Sequence, residues 1–293
     1  MKTKKHIAIL LATYNGAPYL PELLDSLRAQ TVADWRLYVR DDGSTDTTAD
    51  ILSQYAGRDP RLTVMASDGT KRGALGNFMQ LLQDCNADYY FFCDQDDVWF
   101  KDKIARTLQR MEEAEAMYPD SPIIVHTDLT VTDSGLHVTA DSFWDMSRIA
   151  PPLLHDFKRL AGHYLTTGCT MAINSQAKAV AWPYEGALMH DSWITARVLQ
   201  AGGHVVELER PTLYYRQHEH NAIGAHDTQQ NYFLKRLSHI RKVLQDNVRN
   251  YRMLRAAGYG SCLTYIRYKV AYYFAYRKWS RQRQTAGYGE HAY

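Results

Sequence analysis

The chain has 293 residues, 45% apolar and 23% charged, which allows a sizeable core and argues against global disorder. Its formal charge of +2 hides an asymmetry: Gln230 to Arg283 holds 13 basic residues and one acid, Asp246, leaving 21 basic and 31 acidic residues elsewhere. The cysteines (Cys85, Cys93, Cys169, Cys262) lie far apart without a CxxC pair, which excludes a disulfide framework and a thiolate zinc site as expectations.

Lysines ahead of Ile7–Ala12 imitate the start of a signal peptide, but six apolar residues are too few and no small-residue cleavage site follows. No stretch approaches the roughly 18–20 apolar residues of a spanning helix, so an intracellular chain that is not integral to a membrane is expected. His6–Leu11 is a short, continuously apolar run, as in a strand buried on both faces. Leu20, Leu23, Leu24 and Leu27 mark one face of a helix over 18–30. Trp35–Val39 predicts a strand, Asp46–Tyr55 a helix, Leu62–Met65 a strand, Asn77–Asp84 a helix and Tyr89–Cys93 a strand. This alternation argues for βαβ units and a mainly parallel sheet.

Lys101–Tyr118 predicts a long helix. Ile123–His126 and Leu129–Val138 predict two strands, the second antiparallel and near an edge. Thr170–Ile173 is a further strand, Asp191–Gln200 a helix ended by Gly202-Gly203, and His204–Leu208 and Leu213–Tyr215 two short strands. The polar Asn221–Gln229 reads as a hinge or mobile loop. Beyond it, Phe233 to Leu254 patterns as an amphipathic helix. A second helix, Leu263–Trp279, carries Tyr265, Tyr268, Tyr272, Tyr276 and Trp279 along one stripe, flanked by Lys269, Arg277 and Lys278.

The sharpest chemical signal is Cys93-Asp94-Gln95-Asp96-Asp97-Val98-Trp99, which ends an apolar strand. Ligands of open parallel sheets bind beyond the carboxyl ends of strands. Three carboxylates in four positions repel one another unless a cation or hydrogen-bond donors offset the charge. A divalent ion such as Mg²⁺ would do so; the alternative is an acidic turn capping the next helix. Asp41-Asp42-Gly43-Ser44 occupies the same position after the second strand, as a helix start or as an acceptor for nucleobase N–H or ribose hydroxyls. Ala12-Thr13-Tyr14-Asn15-Gly16 completes the edge. Asp191 opens a helix, either as its cap or as a general base. Arg216, His218 and His220 gather metal-ligand and phosphate-binding groups, or are loop residues.

Taken in order, these motifs, with Gly73–Asn77, Thr167-Gly168-Cys169 and His190-Asp191, resemble the inverting family 2 glycosyltransferases over about residues 7–224. The resemblance implies an α/β fold: a GT-A nucleotide-binding sandwich with a mainly parallel central sheet, followed by a C-terminal helical extension. It implies domains at 1–224 and 225–293. Thr13, Tyr14, Asn15, Asp41, Asp42, Asn77 and Asp94 would bind the nucleotide. Asp96, Asp97 and His218 would hold Mg²⁺ or Mn²⁺. Arg216 and His220 would contact the diphosphate or its closing loop, and Asp191 would be the catalytic base. The Tyr-Arg-Gln-His segment at 215–218 is similar to that of bacterial polysaccharide rhamnosyltransferases. This implies a dTDP- or UDP-linked sugar donor, a lipid-linked glycan acceptor and a cytoplasmic place at the inner face of the cell membrane. The Gln-x-x-Arg-Trp motif of processive synthases is absent, which fits transfer of one or a few sugars.

A rival reads Asp94–Val98 as the nucleophile loop of a haloacid-dehalogenase-like phosphatase. A non-catalytic reading rests on the basic, Tyr-rich tail. That tail suits an anionic membrane surface, with Tyr and Trp at the interface and Lys and Arg at the headgroups; binding of nucleic acid is not expected. It would otherwise pack on the body of the protein.

Overall fold

A computed structural model describes residues 5–219 and 240–285. Its first half follows the predicted alternation: β1 (Ile7–Thr13), α1 (Leu20–Arg28), β2 (Arg36–Asp41), α2 (Thr48–Ala56), β3 (Leu62–Val64), α3 (Gly73–Asp84) and β4 (Tyr89–Cys93). The four leucines of α1 are its buried residues, as their spacing requires. After the short β5 (Val98–Trp99), α4 (Lys103–Met117) leads into β6 (Ile123–Thr132) and β7 (Val138–Ala140). α5 (Phe143–Ser147), β8 (Ala172–Asn174), α6 (Ser175–Val180), α7 (His190–Gln200) and β9 (His204–Arg216) complete the body. Two helices come last, α8 (Ile240–Ala256) and α9 (Cys262–Thr285).

Among the described residues one nine-stranded sheet runs in the order β3-β2-β1-β4-β8-β6-β9-β5, with β7 paired to β6. β3, β2, β1 and β4 are mutually parallel, and β6 is parallel to β9. β8 runs against both β4 and β6, so it joins two blocks of strands that point the same way. Every residue of β4 and β6 is buried, which requires cover on both faces of the sheet.

Two expectations fail, each for its own physical reason. The polar pair Thr127-Asp128 suggests a break between two strands, yet β6 runs through it and lies inside the sheet, between β8 and β9. It runs antiparallel both to β8 and to the later, three-residue β7. Both polar side chains are buried and bonded. Thr127 and Thr212 hydroxyls stand 2.7 Å apart, and Asp128 accepts from Ser142 Oγ (2.5 Å) and the N–H groups of Phe143 (3.1 Å) and Trp144 (3.2 Å). A buried polar group with partners does not interrupt a strand. In β9 the exposed Glu209-Arg210 and Pro211 are accommodated instead by register shifts against β6, so one strand passes through them.

The predicted hinge at Asn221–Gln229 and the start of the first tail helix lie outside the described residues. Helices α8 and α9 pack on the body: Met253, Leu254, Tyr259 and Tyr265 are buried in the main core. The Tyr272 hydroxyl accepts from Ala150 N–H and donates to the Arg148 carbonyl, both at 3.0 Å. Gly162 sits where a Cβ would lie 2.5 Å from the Tyr272 side chain, so only glycine admits this approach. Tyr272→Phe is expected to lower stability by about 1–2 kcal/mol through two lost hydrogen bonds. An unchanged denaturation midpoint would contradict the anchoring role.

Candidate active site

Parallel pairing sets the ends of β1, β2 and β4 at one edge, with Thr13 beside Asp41 and Leu11 beside Cys93. β1 has β2 on one side and β4 on the other, which opens the crevice where α/β sheets bind ligands. Because β8 runs against β4, the turn preceding it, Gly168–Thr170, arrives at the same edge; Phe92 N–H donates to the Met171 carbonyl (3.2 Å). The far end of β9 brings Arg216 and His218 there as well.

The first wall is built from backbone held by side chains. Gln95 clasps Tyr14: its Oε1 accepts the Tyr14 N–H (2.8 Å) and its Nε2 donates to the Tyr14 carbonyl (3.0 Å). The half-exposed Tyr14 ring has Lys71 Nζ 4.8 Å from its centroid. Asn15 adopts φ 49°, a left-handed conformation that asparagine tolerates. It is fixed there by donating to Ser44 Oγ (2.8 Å) and accepting from Thr45 N–H (2.8 Å).

Asp41 and Asp42 are both engaged. Asp41 accepts from the N–H groups of Gly43 (3.1 Å) and Ser44 (2.8 Å) and from the Thr13 hydroxyl (2.8 Å). Asp42 accepts from Arg72 N–H (2.7 Å) and Gly73 N–H (2.9 Å) at the start of α3. Burial pushes its carboxyl up, but those N–H groups, Asn77 and Arg40 together hold it below the usual carboxylate range. Asn77 is itself buried and accepts from Arg40 Nε (2.8 Å), so it stands behind the wall and braces it.

The acidic loop is withdrawn from water. Burial raises Asp94, with Asp96 and Asp191 adding to the shift. Burial also raises Asp97, with Asp96 and Asp94 adding. Asp97 is fully buried and neither of its oxygens has a hydrogen-bond partner of good geometry. Asp96 Oδ2 lies 2.9 Å from His218 Nε2, and the His218 ring stacks on Tyr19 with centroids 4.5 Å apart. Crowded, buried carboxylates with orphaned oxygens fit a hard divalent cation.

One grouping departs from the expected metal set. Asp94, Asp97 and Cys169 bring potential ligand atoms within 4.8 Å of one another. Burial raises the Cys169 thiol well above its usual range, so it stays protonated and suits a hard cation poorly. The oxygen donors and His218 are the better fit.

Arg216 is held by protein acceptors at this edge. Its guanidinium is buried, donating from Nε to the Asp96 carbonyl (3.0 Å), from Nη1 to the Ser134 carbonyl (2.8 Å) and from Nη2 to Glu22. It ties the acidic loop to α1 and to the turn after β6. His220 lies outside the described residues.

Asp191 sits in the first turn of α7, facing this edge. Ser192 N–H (2.6 Å) donates to Oδ1 and Gly168 N–H (3.1 Å) to Oδ2. Burial raises its carboxyl to about 6, against the lowering effect of those N–H groups. That places a carboxylate base close to neutral pH. The preceding His190 is buried beside Phe78 and Phe92, with ring centroids 4.1 and 4.9 Å away, and burial drops it to about 3. A Cβ on Gly168 would lie 2.7 Å from His190 Nε2, so glycine is needed for the backbone to reach Asp191.

The structure thus brings Thr13, Tyr14, Asn15, Asp41, Asp42, Asp94, Asp96, Asp97, Asp191 and His218 to one edge. Sequence reasoning missed Gln95, Tyr19, Glu22 and the Gly168 N–H. Gln95 lies inside the acidic motif, where a neutral residue between carboxylates is a signal. Glu22 gives none, because its partner Arg216 is 194 positions away.

Residues 8–174 match the family model described as Glycosyl transferase family 2. The chain is 28% identical over 228 residues to the dTDP-rhamnosyl transferase RfbG of Shigella flexneri, covering 73% of this chain and 74% of that protein. It is similar in fold to S. aureus TarS 1–349 in complex with UDP (TM-score 0.55, 17% identity, 72% of this chain and 60% of that one). It is also similar in fold to the mannosyltransferase PcManGT of Pyrobaculum calidifontis in complex with GDP-Man and Mn²⁺ (TM-score 0.56, 16% identity, 97% and 85%).

Proposed function

The chain belongs to glycosyl transferase family 2, and from that premise we propose a metal-dependent, inverting enzyme that moves L-rhamnose from dTDP-rhamnose to a hydroxyl of a lipid-linked glycan in bacterial surface polysaccharide synthesis. Family membership displaces the phosphatase reading of the Asp94–Val98 loop. One observation carries the reaction class: Asp191, raised to about 6, faces the same sheet edge as the buried acidic loop and is felt by Asp94. The likeness to RfbG supports rhamnose. The nucleotide and Mn²⁺ held by the structural neighbours support a nucleotide-sugar donor and a divalent ion.

The chain's residues divide the work. Tyr14, Asn15 and the Asp41–Asp42 turn, with Thr13 and Asn77 as supports, form the wall for base and ribose. Asp94, which feels the charge of Asp191, would contact the nucleotide from the acidic loop. Asp191 takes the proton of the acceptor hydroxyl as that oxygen bonds to the anomeric carbon, and the bond to the nucleoside diphosphate breaks on the opposite face with its electron pair. Asp96, Asp97 and His218 would hold Mg²⁺ or Mn²⁺. When bound, the cation neutralises charge growing on the leaving diphosphate. Arg216 fixes the loop, and residues 225–293 form the membrane-facing extension of a 1–224 catalytic domain.

The test is thermal stabilisation by dTDP, UDP, GDP and their sugar conjugates, with and without Mg²⁺ or Mn²⁺. A metal-dependent shift with dTDP-rhamnose, followed by rhamnosyl transfer, is expected. A shift confined to UDP or GDP sugars would reassign the donor, and no shift with any would sink the reading.

The base also sets a pH limit. Asp191 acts as a carboxylate, so kcat/KM is expected to fall as pH drops through about 6, approaching tenfold per unit. An inflection near 4, where an ordinary aspartate titrates, would show that Asp191 is not the group.

A further inference from the structure

Helix α9 is two-sided. Tyr265, Tyr268, Tyr272, Tyr276 and Trp279 share the side turned to the protein, where Lys269 Nζ also donates to the Ala161 (3.2 Å) and Gly162 (3.4 Å) carbonyls. The tyrosine stripe therefore faces the body and not a lipid interface. The opposite side carries a second stripe at helical spacing: Leu263 (79% exposed), Ile266, Val270, Tyr273 and Phe274 (61% exposed), the middle three about half exposed. Arg267, Arg277, Lys278 and Arg281 project from that same side. No Asp or Glu occurs anywhere in the 24 residues of α9.

Large apolar side chains left in water along one line mark an interaction surface. We propose that the outer face of α9 docks on an anionic lipid bilayer, with Leu263, Ile266, Val270 and Phe274 entering the acyl boundary and the basic residues meeting the headgroups. Charge selects this occupant. A second copy meeting the first through the same face would set arginine against arginine, and nucleic acid, bound mainly through its phosphates, gives no apolar partner to the exposed aliphatic side chains of Leu263, Ile266 and Val270. None of the described helices is long and apolar enough to cross a membrane, so α9 lies in the interface plane. The proposal rests on the membrane-facing role of residues 225–293 and names the residues that contact lipid; its test needs neither donor nor acceptor.

The full chain is sedimented with vesicles of phosphatidylcholine alone and of phosphatidylcholine with phosphatidylglycerol. Binding to the anionic vesicles, weakened by salt and weaker on the neutral ones, is expected. The double variant Ile266→Ser, Phe274→Ser should lose about tenfold or more in partitioning, with its unfolding midpoint unchanged because both side chains are exposed. Arg277→Gln with Lys278→Gln should reduce binding to anionic vesicles only. Absence of wild-type binding, or full binding by the serine variant, would overturn the proposal. So would a wild-type dimer that becomes monomeric in the serine variant, since that assigns the face to a second copy.

Discussion

Asp191→Asn is expected to lower kcat on the order of 10³-fold while leaving nucleotide binding within a few-fold of wild type. General-base removal typically costs 10²–10⁴ in rate. The substitution keeps the volume of the side chain and removes only its ability to take a proton. It also turns an amide toward one of the two N–H donors, Gly168 or Ser192, that now meet carboxylate oxygens. Some disturbance of the turn before β8 is therefore expected, but the nucleotide wall made by β1 and β2 is built on other contacts. Initial-rate kinetics paired with nucleotide titration separate the two effects. Turnover within tenfold of wild type would remove Asp191 from the mechanism.

Asp96→Ala is expected to abolish the metal dependence of nucleotide binding, weakening the nucleoside diphosphate at least tenfold when Mn²⁺ is present. The same variant should be no less stable than wild type without metal. Asp96 raises both Asp94 and Asp97, so its removal relieves repulsion among buried acids. The losses include a hydrogen bond to His218 at 2.9 Å and the attraction of Arg216. Calorimetric titration with and without Mn²⁺, beside thermal unfolding of the free protein, reads both halves. Equal metal dependence in variant and wild type would sink the assignment of Asp96.

The β1–β4 half was legible because its signals are local. A strand buried on both faces writes a continuous apolar run, and α1 writes its leucines at helical spacing. The site was legible as far as it lies in short motifs at strand ends, since parallel pairing must gather those ends. β6 was misread because burial with polar satisfaction looks like a turn in one dimension, its Thr127 meeting Thr212 from β9, and β9 because a bulge at exposed Glu209-Arg210 and Pro211 reads as a strand end. The orientation of α9 stayed open between membrane and body because both its faces are apolar, and only contact with the Arg148–Gly162 segment distinguishes inner from outer. Arg216 carries a phosphate-binding chemistry in a sequence reading, and its three protein acceptors, all far away along the chain, could not be read there.

The family match ends at residue 174, but the physical unit does not. β9 is an interior strand between β6 and β5, and its Arg216 reaches back 120 positions to Asp96 and 194 to Glu22. A gene segment ending at the match boundary would encode a sheet with an open side and an acidic loop without its clamp. A recombinant that exchanged the segment up to β8 without β9 would therefore be expected to keep the acidic loop and lose the Arg216 clamp that ties it to α1.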